Sequence, residues 1–466
     1  MKTLIFLLAI LALCPAANAQ GPGWLLTTDY STFGRARSFS LDDPWTVSGD
    51  LAAIPGDPSG RFHDGLVYIV GRGGANLIQI YDPANGFSLV REFSIGAGRN
   101  PQDIAFDAVG EAYVSCYDQA VLLRVDVTTG TVLETYDTSG FADADGLPET
   151  AWMIAREGLL YIACQKLDRN NWYEPAGPGT LLVFDMGNKT WVDMDGVSPG
   201  VQPIVLIGAD PYTRIEVVGD GSGGWNLRVG CVGLYGINDG GIEDVDPVSG
   251  VSLGYVVTEQ DLGGDIAAFA STGDDIHVLV SDASFITSLR KFDSSDNSVT
   301  ILKTGNGYVY ADISWDGKFQ LYLADRTVGA SGLRVFDTGS GAELTTGVLA
   351  TGLPPFMFIL PGMGDVSPVN SPVVQSLQLS HAYPNPCNPA ADLQIEGRPG
   401  QAVRVGVFDL RGRRLLDRSL VIDGRGGAVF HFDGKDHGGR SLAAGVYRIV
   451  AQTDTGFAAR NLTLLK

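Results

Sequence analysis

The chain has 466 residues, with 53 acidic against 32 basic side chains, a formal net charge of −21, 45% hydrophobic residues and 61 glycines. That length exceeds one typical domain, and so much glycine with few helix-favouring runs predicts many strands joined by tight turns. The acidic balance opposes nucleic acid or an anionic membrane surface as partner and suits solubility outside a cell.

Residues 1–19 read as a signal peptide. Lys2 precedes an apolar run over 4–13, and Ala17-Asn18-Ala19 offers the small residues needed for cleavage before Gln20. Loss of Lys2 takes the formal charge from −21 to −22. Leu13 stands before Cys14 where a lipid-modification site wants a small residue, which argues against lipidation. No later stretch reaches the roughly 18 consecutive apolar residues of a membrane span. Cys116, Cys164, Cys231 and Cys387 show no C-x-x-C spacing, so no zinc or redox motif follows. They are expected to be small buried hydrophobes, and the geometry of a disulfide disfavours joining Cys116 to Cys164 on neighbouring sheets.

Residues 20–362 carry a repeat. An apolar strand, an aspartate and a turn closing on Gly or Asn recur as Ile80-Tyr81-Asp82, Arg124-Val125-Asp126, Val183-Phe184-Asp185, Asp244-Val245-Asp246, Lys291-Phe292-Asp293 and Val335-Phe336-Asp337. The aspartates are 44, 59, 61, 47 and 44 positions apart. Asp at the start of a turn accepts backbone N–H bonds and Gly supplies the positive φ, so the phrase is turn chemistry. Periods in the forties with four strands per unit predict a β-propeller, each aspartate ending a third strand. Six phrases predict six blades. Residues 24–45 and 354–360 are left to build a seventh from both ends, which would remove an exposed sheet edge. Seven blades over 24–362 average about 48 residues each. The region resembles bacterial YVTN-type surface propellers through Asn100-Pro101-Gln102-Asp103-Ile104-Ala105, Ala112-Tyr113-Val114 and Val125-Asp126-Val127-Thr128-Thr129-Gly130; that resemblance implies the fold and no ligand.

In such a blade, loops after the second strand and loops into the next blade share one end, opposite the aspartate turns. Irregular loops on a rigid scaffold are where binding concentrates. The expected ligand-binding residues there are Asp103, Glu149, Trp152, Asp168, Arg169, Trp172, Tyr173, Tyr235, Asp265 and Asp312. Trp172 and Tyr173 would stack on a carbohydrate or anchor a protein, or else pack their own loop down. Asp143, Asp145 and Glu149, around Gly146, are the most metal-like set and point to calcium, although Phe141 stands where an EF-hand loop needs an oxygen ligand. None of the five histidines falls on the irregular end, so no triad or transition-metal cluster follows. Carboxylate chemistry stays open, because gluconolactonase-like propellers hold a divalent cation near the channel. Asp103, Glu149, Asp265 and Asp312 are expected to converge there.

Residues 363–382 read as a linker and 383–466 as a small all-β module, with alternating runs over 402–408, 427–432, 446–451 and 458–465. The Tyr383-Pro384-Asn385-Pro386 opening, Asp409-Leu410-Arg411-Gly412-Arg413, Phe432-Asp433-Gly434-Lys435-Asp436 with Gly439, Gly445-Val446-Tyr447 and the terminal strand ending in Lys466 resemble the C-terminal sorting domain of type IX secretion. That domain is itself similar to the Ig-like domain of flagellar hook-capping proteins. Cys387 stands where the family carries an aromatic residue. The resemblance implies an Ig-like sandwich, the type IX secretion machinery as partner, and a destination at the outer-membrane surface or outside the cell. The expectation is therefore an exported seven-bladed propeller acting as a binding module. A metal-dependent hydrolase or lactonase at the channel mouth, and an adhesin without a small ligand, are the alternatives.

Overall fold

The structure, a computed structural model, describes residues 22–220, 224–273, 275–362, 377–380, 382–397, 401–409, 413–422, 427–453 and 457–465. The expected signal peptide, most of the expected linker, Gly412 and Lys466 lie outside these residues. The chain divides into two compact units, Met1–Pro368 and Val369–Lys466.

The first unit is all β. Among the described residues it contains five sheets of four antiparallel strands, one sheet of nine and a two-stranded hairpin. In chain order, sheet B comprises Pro58–His63, Leu66–Gly71, Leu77–Asp82 and Ser88–Ser94, and sheet C comprises Pro101–Phe106, Ala112–Cys116, Val121–Asp126 and Thr131–Asp137. Sheet F runs Asp265–Thr272, Asp275–Ser281, Thr287–Asp293 and Ser298–Thr304, and sheet G runs Tyr310–Trp315, Gln320–Asp325, Gly332–Asp337 and Leu349–Ala350. Sheet A joins the two ends of the unit: Gly23–Thr28 pairs on one side with Phe33–Phe39, which carries Ala52–Pro55, and on the other with Pro355–Ile359.

The repeat phrase predicts separate third and fourth units, but they share the nine-stranded sheet. Its first half, D, holds Thr150–Arg156, Leu159–Cys164 and Thr180–Asp185; its second half, E, holds Glu216–Gly219, Trp225–Cys231, Gly241–Asp246 and Val251–Thr258. The fourth strand of D is broken into Thr190–Trp191 and Ile204–Val205 by a Gly- and Pro-containing excursion. Its free half then pairs in parallel with E at Val205 and Val251.

Each turn aspartate does what its chemistry predicts. Asp82 accepts from the Ala84 N–H, Asp126 from Thr128, Asp185 from Gly187, Asp246 from Val248, Asp293 from Ser295 and Asp337 from Ser340, all at 2.8–2.9 Å. Hydrogen bonds from Thr128 and Thr129 hold the Asp126 carboxyl down at about 2.

The inner strands are apolar on both faces because each sheet is covered on both sides, while fourth strands such as Thr131–Asp137 are largely exposed. In sheet A, Trp24, Leu26, Met357 and Ile359 pack with Val67 and Ile69 of B, while the alternating Leu25, Phe358 and Leu360 pack with Tyr322 and Val335 of G. The same alternation continues round the unit, with separate cores between B and C, C and D, D and E, E and F, and F and G. Cys116 lies in the core between B and C and Cys164 in that between C and D, so the two thiols face different interfaces. All four cysteines of the described residues are buried and free, and burial pushes Cys116 and Cys164 up to about 12.

The second unit has a sheet of Gln378–Leu379, Ala391–Glu396 and Gly427–Phe432, and another of Arg414–Val421, Ala402–Phe408, Gly445–Gln452 and Phe457–Leu464. Both contribute to one core that includes Leu393, Phe430, Val405 and Ile449. The opening segment lies along the last strand: the Cys387 N–H donates to the Thr463 carbonyl, its carbonyl accepts from Leu465, and Asn385 Oδ1 accepts from the Thr463 N–H. Cys387 is fully buried in the shared core.

Candidate functional site

The segment between sheets C and D is folded by its own carboxylates. Asp143 Oδ1 accepts from the Asp145 N–H at 3.0 Å and Asp145 Oδ1 from Leu147 at 2.9 Å, with Gly146 at φ +91° making the bend. The loop after the second strand of D is a hairpin of Leu167–Asp168 with Glu174–Pro175. Asp168 caps it by accepting from the Asn170 N–H, and Trp172 and Tyr173 follow with φ of +58° and +60°. Two consecutive non-glycine residues in the left-handed region cost of order 1–3 kcal/mol each and persist only where surrounding structure holds them. The result is a Trp172 side chain 91% exposed, not packed onto its own loop, with Tyr173 54% exposed.

Arg169 joins the two loops. Its N–H donates to Asp145 Oδ2, its Nε reaches Glu149 Oε1 at 3.1 Å, and a terminal nitrogen reaches Asp118 Oδ1 at 2.9 Å and the Tyr117 carbonyl. The guanidinium lies over the rings of Tyr117 and Tyr173, 5.3 and 5.9 Å from their centroids. Glu149 is fully buried, and burial raises its carboxyl to about 7 against the pull of Arg169. Burial also raises Asp143, and the neighbouring carboxylates of Asp145 and Asp168 add to it. Against burial, the backbone N–H groups of Arg169 and Leu147 hold Asp145 below its ordinary value. Asp143, Asp145 and Glu149 each offer an oxygen within 4.8 Å of the others, and Asp143 Oδ2 is shielded from water without a hydrogen-bond partner. Asp118 and Glu149 thus pair with one guanidinium, while Asp145 accepts from the backbone N–H of the same residue. Oxygen-only ligands of this kind suit a hard cation such as calcium.

The four acids expected at the channel do not gather. No three of Asp103, Glu149, Asp265 and Asp312 belong to a group of ligand atoms within 4.8 Å of one another among the described residues. Three of them tie backbone or neighbouring strands instead. Asp103 Oδ2 takes Arg61 of sheet B at 2.5 Å and the Met153 N–H of sheet D at 2.9 Å, so three sheets meet on one carboxylate. Asp312 repeats the arrangement with Arg214 at 3.0 Å and the Phe358 N–H at 2.8 Å. Asp265 accepts from the Gly236 N–H. Acidic residues at the starts of inner strands read as ligands by composition, but buried strand ends also need acceptors for stray N–H groups.

Trp152 donates from Nε1 to the Tyr212 carbonyl at 3.0 Å and carries Arg214 over its ring at 5.4 Å, so it serves as a wall between loop and strand. Tyr235 is 44% exposed and stacks on Phe285, centroids 6.2 Å apart. The sequence reading missed Tyr30, Tyr212, Phe285 and Tyr308, which stand in loops of the same irregular end. An aromatic residue amid Gly, Asn, Asp and Ser, as in Gly305-Asn306-Gly307-Tyr308, was the signal that could have found them.

No family model matches the chain, and no curated protein does either. Among solved structures, the chain is 15% identical to PorZ of Porphyromonas gingivalis, described as a surface component of the type IX secretion system, with a TM-score of 0.42 over 94% of this chain and 64% of PorZ. It is 14% identical to a functionally unknown protein of Desulfotomaculum acetoxidans, TM-score 0.48 over 73% of this chain and 100% of that one. It is 12% identical to the WD40 repeats of RRP9, TM-score 0.40 over 66% and 88% of the two chains. All three scores fall below 0.5, too low to carry a conclusion about this chain.

Proposed function

We propose that this protein is an exported seven-bladed β-propeller that binds its ligand through loops at one end, with calcium held by Asp143, Asp145 and Glu149. Sheets A, B, C, F and G with the half-sheets D and E supply seven four-stranded units. The observation that carries the blade reading is the unbroken circuit of seven cores, each shared by consecutive units and closed by sheet A. The observation that carries the binding reading is the carboxylate group set beside the exposed Trp172. The carboxylate centre required by a hydrolase at the channel mouth has no such support, since Asp103 and Asp312 are spent on arginines and backbone.

Calcium titration tests the site. A site of the affinity common in extracellular modules, filled at millimolar calcium, adds about 1–2 kcal/mol, a rise of a few degrees in Tm. Asp143→Asn should abolish the rise at little cost to the calcium-free protein, because Asp143 Oδ2 has no protein partner to lose. An unchanged Tm in the native chain, or an equal rise in the variant, refutes calcium at these residues.

The second unit is proposed as an Ig-like sorting domain for type IX secretion. Its two sheets on one core support the Ig-like part, as does the Tyr447 hydroxyl, which donates to the Ala443 carbonyl four residues upstream at 2.6 Å in the manner of a tyrosine corner. Removing residues 383–466 should leave the propeller folded and retained in the periplasm; secretion of the shortened chain at the normal level would disprove the sorting role.

A further inference from the structure

A second cluster at the irregular end is built from phenols around one arginine. Arg326 donates from Nε to the Tyr308 carbonyl at 3.1 Å and from a terminal nitrogen to the Tyr30 hydroxyl at 3.0 Å. Its guanidinium lies 4.5 Å from the Tyr308 centroid and 5.3 Å from that of Tyr30. Tyr30, Tyr212, Tyr235, Phe285 and Tyr308 are 42–59% exposed as residues. Tyr212 lies within the electrostatic reach of Tyr308 and Arg326, and Tyr235 within that of Tyr308. These six residues come from loops of sheets A, E, F and G and from the segment between D and E, so loops of several units contribute to one cluster at this end.

Arg326 takes part in none of the ion pairs among the described residues. Its sequence neighbour Asp325 is 1% exposed and committed to Arg334 and Thr327, and Asp265 beside Tyr235 is 1% exposed and bonded to Gly236. In a chain with 53 acids and 32 bases, a half-buried guanidinium without a carboxylate partner has its charge left for something from outside. Flat phenol rings offer both a stacking face and a hydroxyl, which suits the C–H face and hydroxyls of a pyranose.

We infer that Arg326, flanked by Tyr30, Tyr212, Tyr235, Phe285 and Tyr308, binds an acidic saccharide, the arginine taking the ring carboxylate of a uronic acid and the tyrosines stacking on its pyranose face. This inference rests on the reading of the chain as a binding module and names the ligand class of a second site at the same end.

The test titrates the full chain with tetragalacturonate and with its methyl ester, which keeps the rings and removes the charge. Tetragalacturonate is expected to bind at least tenfold more tightly than the ester. Arg326→Gln erases that preference, Arg326→Lys keeps part of it, and Tyr308→Ala weakens both ligands at least tenfold; circular dichroism and Tm confirm that each variant is folded. Equal affinity for acid and ester, absence of binding, or a preference that survives Arg326→Gln overturns the inference. Preferential capture of a peptide with a free C-terminal carboxylate does so too. Binding that is lost in Trp172→Ala and retained in Arg326→Gln overturns it while leaving the module reading intact.

Discussion

Replacing Arg61 with leucine should destabilise the first unit by about 3–5 kcal/mol at pH 7, the usual cost of stranding one member of a buried ion pair. Arg61 is 7% exposed and Asp103 1% exposed, and the guanidinium also donates to the Met153 carbonyl at 2.9 Å. Its loss therefore removes the charge partner of Asp103 and one of the links from sheet B to sheet D. The penalty should depend on pH in a definite direction. Burial raises the Asp103 carboxyl, and Arg61 with the N–H groups of Met153 and Ile104 opposes the rise. A carboxyl raised in the folded state binds more protons there than when unfolded, so its contribution is complete below the ordinary carboxylate value and is lost as pH climbs through the folded value. Without Arg61 the folded value moves higher and that loss extends further up the pH scale. Denaturant melts of parent and variant should accordingly diverge most at pH 7 and converge towards pH 4. A cost that is the same at both, or below about 1 kcal/mol at pH 7, would sink the assignment of Asp103 as a three-sheet clip.

Phe358→Ala should cost a similar amount, about 3–5 kcal/mol, and should also open the unit at one place. Phe358 is 1% exposed, packs at 5.6 Å from Phe39 and 6.2 Å from Tyr322 by ring centroids, and lies in the strand that joins the two ends of the first unit. Weakening that strand bares the pairing edge of Gly23–Thr28. Hydrogen exchange followed by mass spectrometry should show faster exchange in Gly23–Thr28 and Phe33–Phe39 under conditions where sheets C and F remain protected. Phe336→Ala provides the comparison, since Phe336 is equally buried but lies in sheet G away from the closing strand. If both variants exchange alike, sheet A is not the seam.

Much of this is legible in the sequence. The aspartate turns are legible because the chemistry is local: a carboxylate two or three residues before an N–H makes the same bond whatever surrounds it. The pairing of the two ends of the first unit follows from an argument about unpaired edges, and Pro355–Ile359 does lie on Gly23–Thr28. In the second unit, Ala391–Glu396 and Arg414–Val421 were missed. The first follows a proline-rich opening, and the second carries four polar or charged residues, Arg414, Asp417, Arg418 and Ser419, among which the half-buried Leu415 and Leu420 give too weak an alternation to mark a strand.

The candidate site divides along the same line. Asp143, Asp145 and Glu149 are legible as a group because alternate aspartates with a glycine that permits a sharp bend can turn their oxygens to one centre, and the structure brings those oxygens within 4.8 Å of one another. Arg169 and Trp172 were named, but not that the arginine would bind Asp118, Asp145 and Glu149 together, nor that two left-handed residues would turn the indole outward. Asp103 and Asp312 looked like ligands and proved to be clips, because their partners Arg61 and Arg214 lie 42 and 98 residues away.

By itself, the order of residues determined the strand repeat, the turns, the separate tail and the sign of the surface charge, all properties that depend on near neighbours or on totals. Only the tertiary structure decided which charges are neutralised and which are left over. A carboxylate and a guanidinium cancel through space, and the distance between them is set by how whole sheets pack, which no short window of sequence contains.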